Sequence, residues 1–306
     1  MEILRLDNTK VACFRKCPQM YKFKFIDGLQ PVQGSTALRF GGVWHKMLEI
    51  FYKTVKAEGW GAIALATDTA IKAGQVEWEK RSKNHIFYED YRNFETLQSM
   101  LLNYVVEFDI DSQTMEIVAT ERVFAVVLNP ECVFVGKIDL TVLLGGMLWI
   151  VEFKTTGFRL DAVINQLKRS AQVIGYNYAE KCRNGGNSAT GSLVTFAFAS
   201  SRKTKDGSYG KLNIEFRRSP QIYTEEDMEY WKEAFVASAE EMRLAIETNE
   251  FPRYGLFNDT CYPYGNNCVY TRLCEQNKQK DEDLNLEEYI IEPWDVEKED
   301  LSFLRL

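Results

Sequence analysis

Asp139, Glu152 and Lys154 are the residues whose types and spacing most directly invite chemistry. They lie on two β-rich runs, CVFVGKIDLTVLL (132–144) and MLWIVEFKT (147–155), separated by Gly145-Gly146. A Gly-Gly pair between such runs is a hairpin signal. Folding the chain there sets position 139 opposite 152, equidistant from the turn. Directly opposed residues have Cβ atoms ~5 Å apart, and alternation puts Glu152 and Lys154 on one face. Two buried carboxylates that close repel each other unless a divalent cation lies between them. The lysine then offers a positive group to orient a water or to stabilise a phosphorane-like oxyanion. The alternative is a structural ion pair on a solvated face. The flanks Trp149, Ile150, Val151 and Phe153 speak against it: they read as apolar on both faces, and a charge in a buried strand is costly.

A second constellation is made of thiols. Of the cysteines Cys13, Cys17, Cys132, Cys182, Cys261, Cys268 and Cys274, the last three fall within fourteen residues, with gaps of six and five. Those gaps do not match a zinc ribbon. A C-terminal trio of thiolates with a distant fourth suits an iron–sulfur site, and Zn²⁺ in the same place stays open. Cys132 and Cys182 read as buried or incidental. The start MEILRLDNTK has neither the basic beginning nor the apolar core of a signal peptide. The longest apolar run, about Leu143–Val151, contains two glycines, so no membrane span is expected. An intracellular, cytoplasmic protein of a bacterial or phage-infected cell is the expectation, and a disulfide framework is not.

The elements that must position these groups read as a mixed α/β fold. A short helix over 9–25 carries Cys13 and Cys17 and breaks near Pro18. Residues 36–56 have helical apolar spacing. The helical pattern continues over 62–110, where Phe94, Leu97, Leu101, Tyr104 and Phe108 form one stripe; we read about 58–115 as a helical insertion packed by that stripe. Strands follow at 120–128, 132–144 and 147–155, then a helix over about 161–183 ended by Gly185-Gly186. Strands at 192–200 and 212–218 precede a last long helix, opened by a cap-like Thr224 and running to about Asn249. The net charge of −7 resides in the C-terminus: Glu275–Leu306 holds 11 acidic and 4 basic residues, leaving 33 of each sign in 1–274. Local basic patches occur at 15–24, 167–169, 201–205 and Arg217-Arg218, so an acidic total does not exclude a nucleic-acid partner.

G-K-I-D-L, eleven residues, then E-F-K-T-T-G resembles the core of the PD-(D/E)XK nuclease superfamily, in its RecB-type branch. GGVWHKMLE supplies the Gly-x-x-x-His of that branch at His45, and Gln172-Val-Ile-Gly-Tyr176 supplies its Q-x-x-x-Y on one helical face. The resemblance implies a mixed central sheet flanked by helices, of the restriction-endonuclease type. It implies an active-site Mg²⁺ or Mn²⁺ held by His45, Asp139, Glu152 and the Phe153 carbonyl. Lys154, Gln172 and Tyr176 complete the catalytic set, and Glu121 takes a position where the family often carries a glutamate. His85 has no such match and reads as surface or packing.

Cys17-Pro18 with Tyr21 is similar to the C-P-x-x-Y cysteine of the iron–sulfur subset of this branch, which includes the AddB nuclease domain and the CRISPR-adaptation nucleases. That implies a [4Fe–4S] cluster on Cys17, Cys261, Cys268 and Cys274, stapling segments 13–21 and 258–275. The six-residue gap after Cys261 is longer than the gap common in that subset. The organisation expected is a single nuclease domain, 1–275, with an acidic tail, 276–306. The implied function is a metal-dependent DNA exonuclease on single-stranded or frayed ends, in recombination, repair or phage DNA metabolism. The basic stretches 15–25 and 201–205 would grip DNA. The alternative is a non-catalytic DNA-end-binding or scaffold subunit that keeps the iron–sulfur fold. The tail motivates it, since acidic residues alternate there with aromatic and aliphatic anchors as in partner-docking peptides; a solvated tail is the bland reading.

Overall fold

The computed structural model describes residues 3–186, 189–263, 266–276 and 288–292. Its strands are β1 (Leu4–Leu6), β2 (Leu29–Pro31), β3 (Met115–Asn129), β4 (Cys132–Leu144), β5 (Met147–Thr156), β6 (Gly191–Ser200), β7 (Asn213–Gln221) and β8 (Tyr289–Ile291). Its helices are α1 (Asn8–Lys16), α2 (Pro18–Tyr21), α3 (Thr36–Glu58), α4 (Ile63–Ser82), α5 (Phe94–Glu107), α6 (Asp111–Thr114), α7 (Leu160–Ile164), α8 (Ala171–Arg183), α9 (Glu225–Thr248) and α10 (Thr271–Gln276). The chain divides into two compact units: Gly34–Phe124 with Lys137–Met228, and Met1–Gln33 with Ala125–Gly136 and Glu229–Leu306.

In the larger unit the β4–β5 hairpin closes at Gly145 (φ 59°) and Gly146 (φ 77°). Left-handed φ at both central residues is the type I′ turn, whose twist suits the flanking strands and which glycine enters without a Cβ penalty. Leu140 then faces Val151 and Leu144 faces Met147, the register expected from the Gly-Gly midpoint. β5 lies parallel to β6, and β6 antiparallel to β7, so the sheet is mixed. Pro220 sits in β7, which among the described residues pairs with β6 alone and needs no second row of N–H donors.

β5 is buried on both faces, as its apolar flanks require. Trp149, Val151 and Phe153 enter one core with Trp44, Met47 and Tyr52 of α3, Ala70 of α4 and Leu97 and Tyr104 of α5. The helices of the segment read as an insertion therefore pack into the same core as the sheet. That segment is three helices, α4, α5 and α6, rather than one run: Asn93 caps α5 by accepting the Thr96 N–H at 2.9 Å, because an amide side chain there satisfies a donor that the helix start leaves open.

Two further elements differ from the sequence reading. The helix expected over 161–183 is broken into α7, a 3₁₀ turn at Leu167–Arg169, and α8. Ser170 takes an extended conformation and accepts the Val173 N–H, so its hydroxyl competes with helix continuation. At the other end Gly186 N–H reaches Lys181 O at 3.0 Å, the closure that the Gly-Gly pair foretold. Arg218, counted above in a basic patch, is instead half-buried and paired: its two terminal nitrogens bind the two oxygens of the buried Asp111 at 2.5 Å each, and its guanidinium lies 3.8 Å over the Phe108 ring. Alternation in β7 turns Arg218 inward and leaves its neighbour Arg217 outside, paired with Asp161.

In the smaller unit Asp7 caps α1 through the Lys10 N–H at 2.8 Å, and Cys17 both ends α1 and starts α2, with Pro18 in the first turn. β1 pairs in parallel with Cys132–Phe134. Phe134 packs on Trp231 and Phe235 with ring centroids 4.7 and 5.1 Å apart. β2 pairs with β8, so Tyr289–Ile291, part of the segment read as an acidic tail, is a strand against the chain's own Leu29–Pro31. Residues 277–287 and 293–306 lie outside the described residues. No helix among the described residues is long and apolar enough to cross a membrane.

Removing one member of the Asp111–Arg218 pair leaves the other charge poorly hydrated and uncompensated, which costs up to about 3–5 kcal/mol. Asp111→Ala is expected to lower the urea midpoint accordingly, and Asp111→Ala with Arg218→Met to recover most of the loss; equilibrium unfolding measures both.

Candidate active site

Asp139 and Glu152 come together from the two arms of the hairpin. Phe153 N–H donates to Asp139 Oδ2 at 2.9 Å, which ties the aspartate to the strand that carries the glutamate. His45, on α3, places Nδ1 at 3.3 Å from the same Asp139 oxygen. Lys154 shares the Glu152 face and donates to Glu152 Oε1 at 3.0 Å. On α8, Gln172 accepts from Lys154 Nζ at 2.8 Å and donates to Glu152 Oε1 at 2.9 Å and to Tyr176 Oη at 3.1 Å. That amide orientation is the one the charges demand, since the reverse would set its oxygen against a carboxylate. The structure thus gathers His45, Asp139, Glu152, Lys154, Gln172 and Tyr176 into one connected set.

Its electrostatics are uneven. Burial, then the neighbouring charge of Asp139, push the Glu152 carboxyl well above the ordinary carboxylate range. Burial works the same way on Asp139, but the charge and hydrogen bond of His45, the Phe153 N–H and Lys154 outweigh it and hold that carboxyl low. Burial acts to lower His45, yet the charge and hydrogen bond of Asp139, with help from Glu152, raise it to about 9. Two carboxylates with separated affinities for positive charge make a site that favours a cation.

Glu152 Oε2 decides whether a hard divalent ion fits here. It is buried and among the described residues has no hydrogen-bond partner, although Oε1 of the same carboxylate takes both Lys154 and Gln172. An orphaned anionic oxygen beside a second carboxylate matches the oxygen donors that Mg²⁺ and Mn²⁺ take. Among the described residues no group of three or more His, Cys, Asp or Glu is already arranged to hold a metal ion.

Around this set stand Glu121, which the resemblance had marked, and Glu49 and Lys137, which the sequence reading passed over. Glu121 has φ 48°, a left-handed conformation that costs about 1–2 kcal/mol outside glycine, and pairs with Lys137 at 2.6 Å. Burial, then the charge of Asp139, raise its carboxyl. Glu49 lies one helical turn beyond His45 and is held by Lys46 at 3.0 Å and Lys53 at 2.5 Å. Its i+4 spacing from His45 was the available signal; Lys137 had none stronger than strand alternation. His85 sits beside the Phe87 ring, 5.9 Å between centroids, in keeping with a packing role.

Cys17, Cys261, Cys268 and Cys274 all belong to the smaller unit. Cys268 and Cys274 pack against the cluster of Phe23, Leu29, Tyr270, Leu273 and Tyr289, and Cys268 N–H donates to Cys261 O at 2.9 Å. Burial pushes the Cys274 thiol up to about 11, with the charges of Cys17, Cys268 and Cys261 adding to the rise. Cys268 is raised by burial too, and again by Cys17 and Cys261. Cys268 and Cys274 are thus each within electrostatic reach of Cys17 and Cys261, but among the described residues no three of these thiols are placed to hold a metal ion; Tyr264 and Gly265, between Cys261 and Cys268, lie outside the described residues. Cys132 is buried and Cys182 exposed.

The sequence profile of the PD-(D/E)XK nuclease superfamily matches residues 6–275, a span that includes every residue of the site and all four of these cysteines. The chain belongs to the PD-(D/E)XK nuclease superfamily. Among solved structures, one of a "Putative exonuclease" from Eubacterium rectale is similar over 93% of this chain and 91% of that one, at 12% identity and a TM-score of 0.45. No curated protein matches. As a PD-(D/E)XK nuclease the protein is a hydrolase of nucleic-acid phosphodiesters, and its mixed sheet with flanking helices is the architecture of that superfamily.

An ion held by Asp139 and Glu152 stabilises only the folded chain, and at 100 times its Kd adds about 2.7 kcal/mol. Mn²⁺ is therefore expected to raise the melting temperature of the wild type and to leave that of Glu152→Gln unmoved, read by thermal melting with and without the metal.

Proposed function

We propose that this PD-(D/E)XK nuclease is a metal-dependent deoxyribonuclease of the RecB-type branch, working as an exonuclease on single-stranded or frayed DNA ends. The observation that carries the reading is the continuous hydrogen-bonded set Tyr176–Gln172–Lys154–Glu152 beside the Asp139–His45 pair. Asp139, Glu152, His45 and the Phe153 carbonyl would hold Mg²⁺ or Mn²⁺. When bound, the metal acidifies a water and neutralises charge on the phosphate.

The chain's own residues do the rest. Lys154, with a nitrogen already hydrogen-bonded on two sides, positions the attacking water or supports the oxyanion. Gln172 keeps that nitrogen from wandering, and Tyr176 keeps Gln172 in its orientation. A positioned charge acts without reorganising during the reaction, so the arrangement favours the transition state over the ground state. A role in recombination, repair or phage DNA metabolism, in the cytoplasm, follows from the branch resemblance. The [4Fe–4S] assignment to Cys17, Cys261, Cys268 and Cys274 is supported by their shared neighbourhood and by the match to the branch's cysteine pattern.

Cleavage of end-labelled single- and double-stranded DNA with Mn²⁺ tests the reading. Glu152→Ala and Lys154→Ala are each expected to lower the rate by about 10²–10³ or more; undiminished cleavage sinks the assignment. Wild-type binding without cleavage across several divalent metals would favour the non-catalytic, end-binding alternative instead. For the thiol site the expected sample is brown, with broad visible absorption that Cys17→Ser loses. A colourless protein with one bound zinc would overturn iron–sulfur.

A further inference from the structure

A cavity of about 770 Å³ opens directly beside Lys154. Lys154 and the strand residues after it form one wall, and the segment 165–170 forms another. The residues lining the cavity include Lys154, Lys168 and Arg169, and no Asp or Glu among them. Lys168 and Arg169 have exposed side chains, and among the described residues neither has an acidic partner. The backbone under them is fixed. Leu167 is buried with Phe196 and Val194, and its carbonyl accepts from Tyr223 Oη at 2.8 Å. Val163, half-exposed, gives the cavity an apolar floor over the buried Phe196 and Leu167, beneath a cationic rim.

Cations above an apolar floor suit one kind of ligand well: an anion with a flat apolar body. A nucleotide has that chemistry, its phosphate for the rim and its base for the floor. The volume lies in the range of small-ligand pockets, about 300–1,000 Å³. It accommodates a short stretch of one strand. That volume suits one strand better than a base-paired helix.

We propose that this cavity holds the nucleotide next to the scissile phosphate in single-stranded DNA, with Lys168 and Arg169 as its positioning residues. The inference rests on the nuclease reading and deepens it: a duplex end must fray before the phosphate reaches Lys154. The break in the helix at Ser170 is what makes the pocket. A continuous helix over 161–183 would leave no separate 165–170 wall.

The test is fluorescence anisotropy of the full chain with fluorescein-labelled decathymidylate in EDTA, so that binding is read without cleavage. Lys168→Ala/Arg169→Ala is expected to weaken single-strand binding about tenfold and to reduce the salt slope by about 1.4, the value for two phosphate contacts on a single strand. Asn165→Trp keeps both charges but fills the cavity, and is expected to weaken binding while leaving the slope unchanged. Lys168→Arg/Arg169→Lys is expected to restore affinity, and binding to covalently closed duplex to change by less than about twofold in every variant. Thermal melting checks that each variant is folded. Unchanged single-strand affinity, or an equal loss on closed duplex, overturns the proposal. If the wild type still cleaves in a Glu152-dependent way in that case, only the cavity assignment falls. A wild type that neither binds nor cleaves DNA overturns the nuclease reading with it.

Discussion

Glu152 is a carboxylate buried in the middle of an apolar strand and set against a second carboxylate, and the arrangement of the site follows from that constraint. Neither group can ionise freely next to the other in a poorly hydrated place. Positive charge must be brought to both, and it comes from two directions: His45 from α3 on Asp139, and Lys154 from β5 itself on Glu152. Even so, among the described residues one Glu152 oxygen is left without a partner. An oxygen left in that state favours a cation, the kind of partner that nucleases of this superfamily typically take as Mg²⁺ or Mn²⁺.

Holding such a group requires a stiff strand, and the larger unit supplies it. Phe153, next to Glu152 in sequence and opposite in face, stacks on Tyr52 at 5.7 Å and meets Tyr104 edge-on at 6.4 Å. The two tyrosine hydroxyls bond each other at 2.7 Å, and Tyr104 lies beside the Asp111–Arg218 pair. Packing of this kind fixes rotamers and resists small displacements. The aromatic stripe of α5 thus acts on the chemistry indirectly, by denying β5 any room to shift.

Much of this was legible from residue order alone, and for definite reasons. A Gly-Gly pair between β-rich runs specifies both the turn and the register, so the approach of Asp139 to Glu152 needed no tertiary information. Gln172 and Tyr176 share a helical face by spacing. Other features escaped because they depend on competition between local and distant forces. Nothing in the local pattern says that Ser170 will cap a new helix rather than sit inside an old one. Likewise Arg217 and Arg218 look alike in sequence, and only the core decides that one faces water and the other a buried aspartate.

The sequence by itself determined the catalytic spacing, the family and the paired strands, because these rest on short-range periodicity and on motif geometry that a few neighbouring residues dictate. Tertiary structure alone decided which charges are compensated, which carboxyl rises and which falls, and where a cavity opens beside the lysine. Those outcomes turn on desolvation and on distances between residues remote in the chain, such as Lys154 from Gln172 or Leu167 from Tyr223. Electrostatic energy in a poorly hydrated interior varies steeply with both, and residue order carries neither.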